Sequence, residues 1–189
     1  MQIFTQFYAP NRKAWRKWLA ENHQTEKGVW LIYYKVHTNQ PTVPYNEAVE
    51  EALCFGWIDS KPNKLDDDRY MQMFTPRKPK SVWSRLNKIR VAALIKEDKM
   101  MDKGLKAIEV AKKNGHWTIY DEIENLVIPE DLSNALSENL VAQQFFEKFS
   151  DSSKKNILWW IKSAKQAATR QRRIEKTVAL AAVNKKANH

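Results

Sequence analysis

The residues with the most chemical promise lie together at positions 74–84, in the run FTPRKPKSVWS. Arg77, Lys78 and Lys80, two prolines and Trp83 stand just before an apolar-periodic segment. Helix starts favour acidic side chains, because their first N–H groups are unpaired and carry the positive end of the macrodipole. Each cation placed there costs about 0.3–1 kcal/mol. With Ser81 read as the N-cap of a helix containing Leu86 and Ile89, the three cations crowd that end and Arg85 follows one turn in. Such a cluster calls for a compensating anion. An internal one would be Asp59 or the acidic run Asp66, Asp67 and Asp68. An external one would be a phosphate or carboxylate, which a helix N-terminus is built to receive. Pro76 and Pro79 fix φ along the approach and stiffen it.

The preceding segment adds Asp59, Arg69, Gln72 and Thr75, polar residues inside strand-like runs rather than loops. The candidate anion site is therefore Asp59, Arg69, Thr75, Arg77, Lys80, Ser81 and Trp83. The competing reading is an internal Asp–Arg pair with no ligand.

Other chemistry lacks its parts. Four glycines form neither a phosphate loop nor a dinucleotide-binding fingerprint. His23, His37, His116 and His189 have no second His or Cys at metal-ligand spacing. The acidic run at 66–68 lacks the alternation, central Gly and closing Glu of a calcium loop. No metal and no cofactor is expected. Cys54 is the single cysteine, so no intrachain disulfide forms, and its place in an apolar helical stripe reads as a buried, inert thiol.

These residues need elements to hold them. Residues 3–8 read as a first strand. Asn11 is a good N-cap for a helix carrying Ala14, Trp15, Trp18 and Leu19 inward. Residues 29–35 are short, aromatic and branched, hence a strand. Tyr45, Ala48, Val49, Ala52 and Leu53 form the next helical stripe, with Glu47, Glu50 and Glu51 off it and Gly56 suited to the C′ position. Two strands joined by the polar 61–68 segment form an antiparallel hairpin. In the second, Tyr70, Gln72 and Phe74 take one side and Arg69, Met71, Met73 and Thr75 the other.

After Thr75 only helices are predicted. One carries Leu86, Ile89, Ala93 and Leu94. The next is capped by Asp102, with Leu105, Ile108 and Ala111 inward. A short helix starts at Pro129. Another is marked by Leu140, Phe145 and Phe149. Ser150 caps a run with Ile157, Trp160, Ile161 and Ala164, and Ile174, Val178 and Ala181 continue past a bend near Thr169. The expected class is α+β: a small antiparallel sheet with two helices, then an all-helical half packed on it. The boundary is placed at 80/81, giving a sheet region 1–80 and a helical region 81–189 that form one compact unit.

Charge is segregated along the chain. The net charge is +10. Residues 69–96 hold eight basic side chains and no acid, and residues 152–174 hold seven and no acid. The remainder therefore carries −5. Two basic blocks on a mildly acidic body suit an anionic partner. No apolar run reaches the ~20 residues of a membrane span. The N-terminus shows no cationic and apolar signal regions, so a cytoplasmic location is expected.

Taken together, AVEEALCFGWIDS (48–60), LDDDRYMQMFTPRKPKSVWS (65–84), IPEDL (128–132) and SSKKNILWWIKSAKQAATRQRRI (152–174) resemble the YdeI/OmpD-associated, or bacteriocin-protection, family. Its first-helix pattern W-x-x-W-L-x-x-N-H appears as Trp15, Trp18, Leu19, Asn22 and His23. Members usually carry proline where Asp151 stands, after Ser150. The resemblance implies a bacterial protein with an α+β N-terminal part and a helical C-terminal segment. It implies no established catalytic residue, and its name suggests a role in envelope stress or antimicrobial resistance.

The functional expectation is a small-anion-binding protein in such a response. The alternative is an enzyme on a phosphorylated or carboxylated substrate, with Asp59 as acid or base beside Arg69 and Arg77. A weaker one is nucleic-acid binding through the basic blocks, which would be nonspecific and salt-sensitive for want of a reading motif. The sequence leaves the oligomeric state open.

Overall fold

The computed structural model describes residues 4–188. The start of the first strand at Ile3, and His189, lie outside them. The chain divides into two compact units, one ending at Thr118 and one starting at Ile119. The first contains β1 (Thr5–Tyr8), α1 (Arg12–Asn22), β2 (Val29–Tyr34), α2 (Tyr45–Cys54), β3 (Trp57–Lys64), β4 (Arg69–Pro76), α3 (Arg85–Lys96) and α4 (Asp102–Lys113). The class is α+β, as the sequence predicts.

The sheet, however, is mixed rather than antiparallel. Its order is β1-β2-β4-β3, and β1 runs parallel to β2 while β2–β4 and β3–β4 are antiparallel. The reason is α1, which carries the chain back across the sheet and so lets β2 start at the same end as β1. Between Asp59 and Pro62 the register slips by one residue, making a β-bulge on β3.

One sheet face meets α1 and α2. Val29, Leu31 and Tyr33 of β2 pair with Phe74, Gln72 and Tyr70 of β4, and Trp15, Leu19, Ala48, Val49, Ala52 and Leu53 pack into the same core. Asn11 caps α1 by accepting from the Ala14 N–H at 2.9 Å. Gly56 follows α2 with φ +74°, the left-handed conformation glycine tolerates best.

Glu51, read from its spacing as lying off the buried stripe, is only 2% exposed. Arg12 Nε and Arg16 Nη1, one turn apart on α1, pair with its two oxygens at 2.5 and 2.6 Å. The pair of ion pairs makes burial of the carboxylate tolerable and fastens α1 to α2.

Helices α3 and α4 continue the first unit past residue 80, burying Val91, Leu94, Ile108 and Ala111 in the same core. Their inward faces differ from the predicted ones. Trp83, Asn87, Val91 and Leu94 point in, whereas Leu86 and Ile89 are 55% and 60% exposed and Ala93 is exposed. The indole of Trp83 offers far more apolar area than either aliphatic chain, and burying it sets the phase of the helix that follows. On α4 Gly104 is buried and Leu105 is 43% exposed. A Cβ on Gly104 would lie 2.2 Å from the Cys54 carbonyl oxygen, so only glycine lets α4 approach α2 this closely. Met101 caps α4, and Asp102 sits in its first turn, where its charge still favours the dipole.

The second unit contains α5 (Asp121–Glu124), α6 (Glu130–Ser137), α7 (Leu140–Lys148), α8 (Asp151–Lys162) and α9 (Ala167–Ala181). Ser150 caps α8 as predicted, and Pro129 stands at the cap of α6. Ile123, Leu132, Leu136, Phe146, Ile157, Leu158, Ile161 and Ile174 form its core. Leu140 is 68% exposed and Phe146, rather than Phe145, is the fully buried ring of α7. The break between α8 and α9 falls at 163–166, ahead of Thr169. Among the described residues no helix is long and apolar enough to cross a membrane.

Three outcomes follow from this packing. Gly104→Ala is expected to destabilise the chain by about 3 kcal/mol, because the new methyl meets backbone that cannot yield. Urea unfolding would measure it, and an unchanged midpoint would contradict the close approach. Burial, reinforced by the Glu51 charge, pushes the Cys54 thiol up to about 11. Its thiolate fraction at neutral pH is then negligible, so an alkylating probe should label it only after denaturant is added; rapid native labelling would show otherwise. Finally, a fragment of residues 85–189 lacks Trp57, Trp83 and the sheet that bury α3 and α4. We expect it to show no cooperative melt coincident with that of the full chain, and a coincident transition would refute this.

Candidate functional site

The corner at 54–57, where α2 gives way to β3, gathers the elements that make the site. As β4 ends, the Arg77 N–H donates to the Gly56 carbonyl at 2.9 Å. The Met101 N–H donates to the Cys54 carbonyl at 3.0 Å, setting the start of α4 beside it. Trp57 Nε1 donates to the His23 carbonyl at 3.3 Å, bringing in the end of α1. Between these strands of backbone opens a cleft of about 320 Å³. Phe55, Trp57, Trp83 and Ala107 supply apolar wall. Arg77, Lys78, Lys103 and Lys106 supply positive charge, with His23 and a single acid, Glu26, at its edge.

Arg77 is the unusual group. Its guanidinium carbon lies over the Trp83 ring, 3.7 Å from the centroid, and Nη1 donates to the Val82 carbonyl at 3.1 Å. Trp83 is itself 1% exposed and packs on Trp117 at 5.0 Å. Arg77 Nε is buried with no hydrogen-bond partner. Burial pushes Arg77 down to about 10, countered only by the charge of Asp59 acting from beyond ion-pair distance. A half-buried cation with no carboxylate against it favours any anion that can reach it.

The other residues proposed from sequence are distributed differently. Ser81 is not the N-cap of α3. Its N–H donates to the Lys78 carbonyl and its hydroxyl accepts from the Lys78 N–H, so it closes a tight turn. Ser84 is the cap, accepting from the Asn87 N–H at 3.3 Å. The turn is held to the end of α4 by Asn114 Nδ2, which donates to the Pro79 carbonyl at 2.7 Å. Lys80 is exposed on that turn and does not line the cleft. Arg69 stands at the opposite end of β4, about 25 Å along the strand from Arg77. There it pairs with Asp66 at 2.6 Å. Thr75 faces away from the core, against Gly28. Asp59 shares the core face with Gln72 and accepts from Gln72 Nε2 at 2.8 Å and from Tyr45 Oη at 2.9 Å. Arg77 and Trp83 thus come together at the cleft, while Arg69 and Thr75 do not join them and Asp59 enters a cluster of its own.

The acidic loop does not serve as the internal anion. Asp66, Asp67 and Asp68 engage Arg69, Lys64 and His37, all close to the hairpin tip. Lys103 and Lys106 were not legible as site residues, since α4 reaches the corner only through long-range contacts, the Met101 N–H to the Cys54 carbonyl and the close approach of Gly104. In the second unit Lys155, Lys162 and Arg170 pair with Glu124, Glu122 and Asp131 at 2.7, 2.6 and 2.6 Å. Arg173 lies over the Trp160 ring at 5.0 Å. Much of the second basic block is therefore engaged within its own unit. Among the described residues no group of His, Cys, Asp or Glu could hold a metal ion.

No curated protein and no solved structure matches the chain. Two family models do. The model described as "Bacteriocin-protection, YdeI or OmpD-Associated" matches residues 125–184, which contain the IPEDL and SSKKNILWWIKSAKQAATRQRRI motifs. The model described as "Domain of unknown function (DUF8412)" matches residues 7–107, which hold the sheet, Arg77, Trp83 and both α4 lysines of the cleft. The chain accordingly belongs to the family of that domain of unknown function, and a segment similar to the YdeI or OmpD-associated model follows it.

Proposed function

We propose that this chain is a binding protein for a small organic anion, a carboxylate or phosphate ester, seated in the cleft at the 54–57 corner. Arg77 carries the recognition, Lys78, Lys103 and Lys106 add long-range attraction, and the apolar wall of Phe55, Trp57 and Ala107 takes the uncharged part of the ligand. In our reading it is a cytoplasmic component of a stress or bacteriocin-resistance response, the latter suggested by the bacteriocin-protection description of the model matching residues 125–184. The single observation behind this is Arg77: a half-buried arginine over an indole, with a buried, unpaired Nε and no ion-pair partner. The cleft volume, near the lower end of ligand sites, suits a small molecule rather than a polymer. The acid–base alternative at Asp59 loses one proposed partner, since Arg69 lies at the far end of β4.

The test is a melt series with phosphate or sulfate against chloride at matched ionic strength. A ligand that binds only the native state stabilises it, by about 2.7 kcal/mol at a hundredfold excess over Kd. We expect the oxyanions to raise Tm and Arg77→Met to remove the difference. Met keeps the apolar stem and removes the charge, so ligand-free stability should hold or rise. The opposite pattern would overturn the proposal: no oxyanion effect in the native chain, and a loss of about 1–3 kcal/mol on substitution, as for a satisfied structural group.

A further inference from the structure

A second cavity, of about 660 Å³, opens beside the β-bulge, away from the Arg77 cleft. Tyr45 at the start of α2, Pro62 in the bulged strand, and Tyr70 and Gln72 of β4 line it. Three of these four are rings, which present flat apolar surface to a flat ligand. The lysines at its mouth are tied elsewhere. Lys35 Nζ donates to the Asp66 and Asp67 carbonyls at 3.2 and 2.6 Å, and Lys64 Nζ pairs with Asp67 at 2.6 Å. The cavity is therefore not a second anion site.

Its polar lining is fixed in one sense. Gln72 uses both amide hydrogens, on Asp59 Oδ2 at 2.8 Å and on the Ser60 carbonyl freed by the bulge at 2.6 Å. Tyr45 uses its hydroxyl hydrogen on the same Asp59 oxygen, at 2.9 Å. What remains open is acceptor capacity on Gln72 Oε1, since the Tyr45 hydroxyl also engages the Gln72 side chain. Gln72 is 4% exposed on a central strand, with Oε1 still within reach of solvent. Behind Tyr70, the Tyr33 ring stacks in parallel at 4.8 Å, and its buried hydroxyl has no hydrogen-bond partner.

We propose that this cavity binds a planar, uncharged heteroaromatic ring bearing N–H donors, stacked between Tyr45, Tyr70 and Pro62 and donating to Gln72 Oε1. Asp59 is the positioning residue: it does not touch the ring but holds the Gln72 amide nitrogen and so keeps Oε1 facing the cavity. The site is separate from the Arg77 cleft, and its occupation does not depend on the anion-binding reading.

Adenine is the probe, because it is flat, neutral and rich in N–H. Caffeine is the control, a purine whose N–H groups are replaced by N-methyl. An amide NMR titration of the full chain should show saturable shifts at Tyr45, Asn63, Tyr70 and Gln72 with adenine, and binding about tenfold weaker with caffeine, the equivalent of one hydrogen bond. Tyr70→Leu should weaken both ligands. Asp59→Ala should weaken adenine while bringing caffeine level with it, a loss of preference that mere loosening of the site would not produce. The proposal falls if adenine gives no saturable shift, if the shifts map away from these residues, if caffeine binds as tightly to the native chain, or if a folded Asp59→Ala chain keeps the preference. Should Asp59→Ala not fold, the mapping and the ranking of the two purines on the native chain decide the matter by themselves.

Discussion

The first unit is organised by a backbone corner. At residues 54–57 three carbonyls or side chains receive or make bonds to segments distant in sequence: Cys54 to the start of α4, Gly56 to the exit of β4, and Trp57 to the end of α1. Two glycines make this crowding possible, Gly56 by its left-handed φ and Gly104 by lacking a Cβ where the Cys54 oxygen already stands. Everything that lines the Arg77 cleft reaches it through one of these contacts. A cleft assembled from backbone is preorganised, since main-chain bonds do not rearrange when a ligand leaves.

The unit handles charge in two opposite ways. Glu51 is sequestered by two arginines a helical turn apart, and that carboxylate is fully answered by side chains of the protein. Arg77 is half-buried against an indole and a single carbonyl, with no carboxylate at ion-pair distance. The first arrangement joins helices. The second leaves a positive charge that no side chain answers, which is the basis of the anion-binding reading proposed above.

Much of this was legible in the sequence, and the misses have specific causes. Element order, the Asn11 and Ser150 caps and the Gly56 turn follow from local chemistry and appear where expected. The parallel β1–β2 pair depends on where α1 sends the chain, which period and propensity do not encode. Helix phase failed at α3, because Trp83 lies outside the helix and yet dictates which face turns in. The cations at 77–80 stand before a helix whose cap is Ser84, one turn after the expected Ser81. Strand parity already separated Arg69 and Thr75 from Gln72. What the sequence could not give was the approach of Lys103 and Lys106, which exists only in three dimensions.

The bulge in β3 also bears on the company the sheet keeps. With order β1-β2-β4-β3, β3 is an edge, open to hydrogen bonding with any extended segment of another chain. Its outer half carries Lys61, Pro62 and Lys64, all exposed, and the extra residue throws that half out of register with a straight partner. Proline withholds a donor, lysines repel a flat apolar neighbour, and the bend spoils the ladder. The irregularity that frees the Ser60 carbonyl for Gln72 therefore also works as a guard against strand-to-strand aggregation, so that one local distortion serves the solubility of the whole molecule.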